Sequence, residues 1–299
     1  MELIFLGTSC MVPTKERNVS SIYLDYEGEG ILIDCGEGTQ RQLNIVGIQR
    51  NRVKKILISH FHGDHVSGIV GLLQTIGNEL DGATLEIYGP TGTKKFMGHI
   101  LHSCHFDLNL ELKIHEVKAK KVITFYENDK YKLEAVELEH GIPCLGFSFI
   151  EKDKRKILMA KLNKYKLGSG PLIGKLQRGK DIIFKDKKIK AEDVTRIEKG
   201  KKISFISDTV FTENCIKLAE ESDIMISEAS YTSKLEEKAE KYKHMTAKQA
   251  AYIANTAQVK RLILTHISQR YKTDEEILEE AKTVFEDVEV AYDFKKVKI

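Results

Sequence analysis

In the segment ILISHFHGDHVSG, residues 56–68, three of the chain's ten histidines and an aspartate fall within six positions. His60 and His62 lie two apart just beyond a β-branched apolar run, so both rings can face one cation. Gly63 permits a sharp turn that sends Asp64 and His65 elsewhere. Imidazoles and a carboxylate at this density suit Zn²⁺ or a similar first-row ion, and the split pattern suits two ions rather than one. Two ions roughly 3.5–4 Å apart can hold a hydroxide between them and clamp a phosphate or acyl oxygen. The competing reading is a histidine-rich surface loop, which needs no further ligands. Candidates for such ligands do occur at a distance: His140 in LEHGIPCLGF, Asp208 in ISDTV and His266 in LTHISQRY. Each of these alone reads more readily as a core or surface residue than as a ligand.

The elements that must position these groups are short apolar runs, each ending in a polar residue: ILID at Asp34, KILISH at His60, ISFISD at Asp208, IMISE at Glu228 and LILTH at His266. Near-continuous apolar strands of this kind are buried on both faces, and residues just past their ends converge along one rim of a sheet. Helical patterns lie between them. SGIVGLLQTIGNEL follows the histidine cluster, TENCIKLAEES follows Asp208, TAKQAAYIANTA precedes His266, and TDEEILEEAKTVFED opens with a threonine cap and an acidic first turn. The stretch SSIYLDYEGEGILIDCG reads as a hairpin turning near Gly28 and Gly30. A strand-to-ligand unit thus occurs near residue 60 and again near residue 208. The cluster His99, His102, Cys104 and His105 lacks a carboxylate partner and reads as packing or surface.

A chain of 299 residues with 30% charged and 41% hydrophobic residues has the balance of a folded α/β protein, one domain with an insertion. No apolar run approaches the ~18 residues a membrane span needs, and MELIFLGTSC lacks the basic region of a signal peptide. The cytoplasm is the expected location. The five cysteines, Cys10, Cys35, Cys104, Cys144 and Cys215, are scattered and odd in number, so any metal must use histidine and carboxylate. The net charge of +3 hides an asymmetry. Residues 151–200 hold sixteen Lys and Arg against seven Asp and Glu, a local +9 that leaves −6 for the remainder. This lysine- and glycine-rich segment has too few apolar residues for an independent core, and it reads as a polyanion-binding arm.

HFHGDH, followed by a distant histidine, an aspartate after a strand and a final histidine, resembles the metallo-β-lactamase superfamily. That resemblance implies an αβ/βα sandwich of two mixed β-sheets flanked by helices, with two metals at one edge. FLGTS with VPTKERNVSS, IDCGEGTQRQL, GPLIGKLQRG, SEAS, HMTAKQAA and LTHISQRY are similar, in order from about residue 3 to residue 271, to the ribonuclease Z family of tRNA 3′-processing endonucleases. The resemblance implies a single domain over residues 1–299 that carries two Zn²⁺. His60, His62 and His140 would hold one ion, Asp64, His65 and His266 the other, and Asp208 would bridge them. Asp34 would orient a ligand histidine from behind.

The implied reaction is attack of a metal-bound hydroxide on the phosphodiester after the discriminator nucleotide of precursor tRNA, leaving a tRNA 3′-OH and a trailer 5′-phosphate. Asp64 would serve as ligand and base, and His244, oriented by Glu228, would protonate the leaving oxygen. The residues 151–200 would form the tRNA-binding arm, with Gly170 and Pro171 shaping its loop and Lys164, Lys166, Lys175, Arg178 and Lys180 meeting phosphates. Arg17 and Asn18 would line the acceptor-stem end. A homodimer is implied, with no further protein partner and no membrane. The chain departs from the family at Ser227, where histidine is usual, and at Met245, where serine is usual. Neither is a metal ligand, so the departures bear on how nucleotides beyond the cut, including a CCA end, are treated. The alternative reading keeps fold and metals but takes a small phosphodiester as substrate. The basic arm speaks against it.

Overall fold

Alternation along the apolar runs gives each strand two buried faces. Ile4, Leu6, Tyr23, Leu32, Ile56 and Ile58 join one apolar cluster with the helices Thr39–Ile45, Ile69–Glu79 and Thr93–Leu101. Their neighbours Leu3, Phe5, Ile31 and Leu57 are also buried and point the other way. The same parity recurs in the second half. Ile206, Met225, Leu262 and Leu264 pack with the helices Glu213–Ala219, Ala247–Thr256 and Glu275–Lys282, while Ile203, Phe205, Ile226 and Ile263 face inward. A computed structural model describes residues 1–79, 82–105, 107–168 and 170–299. The last residue of the helical pattern after the histidine cluster, Leu80, and Ser169 of the arm motif lie outside the described residues.

The result is two seven-stranded sheets flanked by helices, as the resemblance implies. One has the order Lys296–Lys298, Glu2–Gly7, Ser21–Tyr26, Glu29–Ile33, Val53–Leu57, Ala83–Gly89, Leu110–Glu116. The other runs Val288–Val290, Leu262–Thr265, Ile224–Glu228, Lys202–Ile206, Pro143–Glu151, Tyr131–Glu139, Ile123–Glu127. Ile22 and Ile33 of the first meet Phe205 and Ile226 of the second across one narrow space. The N-terminal hairpin turns at Glu27 and Gly28, both with positive φ, the two-residue turn whose twist matches the strands.

Parallel pairing is what gathers the chemistry. Ile33 pairs with Leu57, so Asp34 and His60 leave the first sheet at the same end. Ile206 pairs with Ser227 and Glu228 with Thr265, so Asp208, Glu228 and His266 leave the second sheet together. Ligands collect outside the carboxyl ends of parallel strands for this reason.

The turn after Asp34 is pinned against the helix that follows HFHGDH. Cys35 N–H donates to His65 O at 2.8 Å and Gly68 N–H to Cys35 O at 3.0 Å. A Cβ on Gly68 would fall 2.1 Å from Gly36 O. Gly68→Ala is therefore expected to cost about 1–3 kcal/mol by forcing two backbones apart. A lowered midpoint in urea, with the slope unchanged, is the measurement that checks it.

Two sequence readings are corrected. The helix Glu275–Lys282 is capped at Asp274, not at Thr273, and without a side-chain cap bond. The Asp274 carboxylate is drawn instead to the Arg17 guanidinium, at 2.5 Å. The basic segment also has more core than its sparse apolar pattern suggests. A second compact unit comprises Glu127–Lys132 and Ile150–Lys201. Within it Leu162, Leu167, Leu176, Ile182, Ile189, Ala191 and Val194 are buried together. Short elements achieve this by each contributing one or two apolar residues from a single face. Pro171 opens the helix Pro171–Gln177, where its missing N–H costs nothing.

Candidate metal centre

His60 and His62 follow the strand Val53–Leu57, and His140 follows Tyr131–Glu139. His60 Nε2 lies 3.0 Å, and His140 Nε2 3.1 Å, from His62 Nδ1. Tetrahedral ligands bound at 2.0–2.1 Å would be spaced by about 3.4 Å. The hydrogen bonds behind these rings decide what the nitrogens can do. His140 Nδ1–H donates to the Lys243 carbonyl at 2.7 Å, which leaves Nε2 of a neutral ring as a bare lone pair. Burial, with the neighbouring imidazoles, holds His60 and His62 below the usual histidine range and hence neutral. A cation between the three nitrogens relieves the opposed lone pairs.

The second group is built from Asp64, His65 and His266. His65 Nδ1–H donates to Asp34 Oδ2 at 2.7 Å, fixing the tautomer, so Nε2 points forward. That atom is buried and has no hydrogen-bond partner among the described residues. It lies 3.4 Å from Asp64 Oδ2 and 3.4 Å from Asp208 Oδ2. His266 Nε2 is likewise 3.4 Å from Asp64 Oδ2. Asp208 faces both groups: Oδ2 is 3.7 Å from His60 Nε2 and from His140 Nε2, while Oδ1 is 3.4 Å from His266 Nδ1. Buried carboxylates need positive charge beside them. Here His65 and His266, against the opposing effect of burial, are raised well above the usual range by Asp208 and its neighbours. A metal cation can take over the charge those protons supply. The donor set, the orphaned His65 nitrogen and the converging lone pairs all fit divalent ions. His60, His62, Asp64, His65, His140, Asp208 and His266 fall into candidate groups whose ligand atoms lie within 4.8 Å of one another.

Behind this shell, Asp34 accepts from Ser59 N–H and Ser59 Oγ–H at 2.7 Å each, besides His65. It holds a left-handed backbone at φ 59°, as does His266. Asp34→Asn preserves the shape and tolerates that backbone but removes the charge that orients His65. A drop of about 10–100-fold in metal affinity is expected, checked by competition with a chromophoric chelator.

His244 Nδ1 lies 3.1 Å from both oxygens of Glu228. Glu228 is fully buried and is held by Thr209 N–H and Ser230 Oγ–H, each at 2.8 Å. Burial opposes charge on His244, but the Glu228 carboxylate prevails and raises it to about 9. His62, Asp64, His140, Asp208, His244 and His266 line one cleft of about 680 Å³ together with Met11, Tyr231, Tyr242 and Arg270, while His60, His65 and Glu228 are fully buried.

Ser59 and Ser230 were missed in the sequence reading. Both obey strand parity, Ser59 two residues after Leu57 and Ser230 two after Glu228, a signal shared by many strand-end hydroxyls. Arg17 and Asn18 are committed to the fold. Arg17 donates to Thr8 Oγ1 and Ala291 O at 2.6 Å and to Asp274, and Asn18 Nδ2 donates to Glu37 O at 2.7 Å. Ser227 and Met245 are fully buried, Met245 in the helix-side cluster. In the second unit Lys164, Lys166, Gly170, Pro171, Lys175, Arg178 and Lys180 are all exposed. Among the described residues, no helix is long and apolar enough to cross a membrane.

The family model described as the metallo-beta-lactamase superfamily matches residues 14–107, and one described as a beta-lactamase superfamily domain matches residues 193–267. These spans contain the two strand-to-ligand units. A protein of Methanothermobacter thermautotrophicus named ribonuclease Z is 41% identical over all of this chain and 97% of its own length. One of Bacillus cereus with the same name is 37% identical, covering 100% and 99%. The solved structure of the human tRNase Z short form matches with a TM-score of 0.74 at 30% identity, covering 100% of this chain and 99% of that one.

Proposed function

The chain belongs to the ribonuclease Z family of the metallo-β-lactamase superfamily, and from that premise we propose that it is a two-zinc endoribonuclease that removes the 3′ trailer from precursor tRNA. The single observation that carries the reading is the convergence of seven His and Asp side chains beside the His244–Glu228 pair. When bound, the ions supply a lowered water pKa and neutralise charge on the scissile phosphate.

The chain's own residues do the rest. Asp64 is oriented by Met11 N–H, 2.9 Å from Oδ2, and accepts the proton of the attacking water. His244 is anchored through Nδ1 to Glu228, which leaves Nε2–H to meet the leaving 3′-oxygen. Its raised pKa keeps the proton available near neutral pH. The products are a 3′-OH on the discriminator and a 5′-phosphate on the trailer.

The basic segment, residues 151–200, is the arm that binds tRNA in this reading. Its exposed cations make phosphate contacts that accept many tRNAs by shape rather than sequence. The enzyme works as a homodimer in the cytoplasm, and the five free cysteines accord with a reducing compartment.

The test is to incubate zinc-loaded protein with a 3′-extended precursor tRNA and map both ends. One cut after the discriminator is expected. A variant with Lys175, Arg178 and Lys180 all changed to alanine should raise KM, leave kcat unchanged and flatten the salt dependence. Hydrolysis of small phosphodiesters without any cut in the precursor would overturn the tRNA assignment.

A further inference from the structure

The cleft over the candidate ligands does not end at them. Ser268 and Gln269 also border a second depression of about 290 Å³ beside it. The floor at this junction is backbone: Ile267–Ser268 pairs in parallel with Ser9–Cys10, Ile267 opposite Ser9 and Ser268 opposite Cys10. His244, Tyr231 and Tyr242 border the first space and not the second.

The walls beyond the junction offer two kinds of contact. Tyr292 leaves 55% of its surface exposed, with Lys295 Nζ 5.0 Å from the ring centroid. Lys272 is exposed and forms no ion pair among the described residues, its ammonium reaching only Gln269 O at 3.5 Å. Of the acids at the rim, Asp274 is paired with Arg17, and Glu16 faces solvent. A half-exposed aromatic ring and an unpaired lysine lining one depression, which shares Ser268 and Gln269 with the cleft, match how proteins hold single-stranded nucleic acid of any sequence. Bases stack on the ring and phosphates meet the cation.

We propose that this second depression carries the single-stranded trailer nucleotides that follow the first one, with Tyr292 as stacking platform and Lys272 as phosphate contact. The assignment rests on the tRNA reading above. In the proposed reaction His244 meets the 3′-oxygen of the tRNA end, and the trailer, joined through its 5′-oxygen, is assigned to the space that His244 does not border. A trailer has no fixed sequence, which suits stacking over base-edge readout.

The experiment compares two precursors, one with a long trailer and one with a single trailing nucleotide, cut by zinc-loaded enzyme. The double variant Tyr292→Ala, Lys272→Ala should lose about tenfold in kcat/KM on the long trailer and little on the short one. Tyr292→Phe, which keeps the ring, should retain wild-type rates on both. Wild type cutting both precursors while the double variant loses nothing, or loses equally on both, overturns the groove assignment alone. Wild type cutting neither overturns the tRNA reading and the groove with it.

Discussion

Asp208→Ala is expected to reduce cleavage by at least about a thousandfold, the scale of several kcal/mol of lost charge stabilisation at a two-metal site. Asp208 is the side chain that faces both histidine groups, with Oδ2 toward His60, His140 and His65, and Oδ1 toward His266. Its removal would leave each candidate group short of a ligand and take away a buried negative charge that the two proposed cations need. Bound metal, measured by elemental analysis after dialysis, should fall from about two ions per chain to one or fewer. The fold should survive, because Asp208 stands at a strand end and the apolar clusters do not include it. Retention of two tightly bound ions, with activity within tenfold of wild type, would remove Asp208 from the bridging position.

His244→Ala should lower kcat by about 10²–10⁴-fold, the usual contribution of a positioned acid, while leaving metal content intact. The separation of these two effects is the point of the comparison. His244 Nδ1 is closer to Glu228, at 3.1 Å, than to Asp208, at 3.9 Å, so its loss should affect proton delivery more than ion binding. Glu228→Gln should give a smaller loss in kcat, since the amide still holds the ring but no longer supports its charge. A substrate with sulfur in place of the leaving 3′-oxygen tests the role directly. Thiolate departs without protonation, so the His244→Ala deficit should largely vanish. A deficit of equal size on both substrates would mean that His244 positions the RNA rather than donating a proton.

Much of the site was legible because strand parity and strand-end placement are local. ILID, KILISH, ISFISD, IMISE and LILTH each announce a buried strand, and each delivers its polar residue to the rim. Parity also held the signal for Ser59 and Ser230, although hydroxyls at strand ends are too common to read without their partners. Arg17 shows the opposite case. Within VPTKERN it is expected to line the acceptor-stem end, and nothing local tells that its guanidinium also bonds Thr8, Ala291 and Asp274, the last two more than 250 residues away in the chain.

The sequence by itself determined the donor types, the apolar periods and the charge imbalance of residues 151–200, since these depend only on residue identity and spacing. The tertiary structure decided which ring nitrogen faces inward and which acid is shared. His140 presents Nε2 because Lys243, 103 residues on, accepts from Nδ1, and His65 does so because Asp34 is paired behind it. Such choices depend on backbones that meet only when the strands are in register. A histidine's tautomer is set by its partner, and the partner is set by the fold.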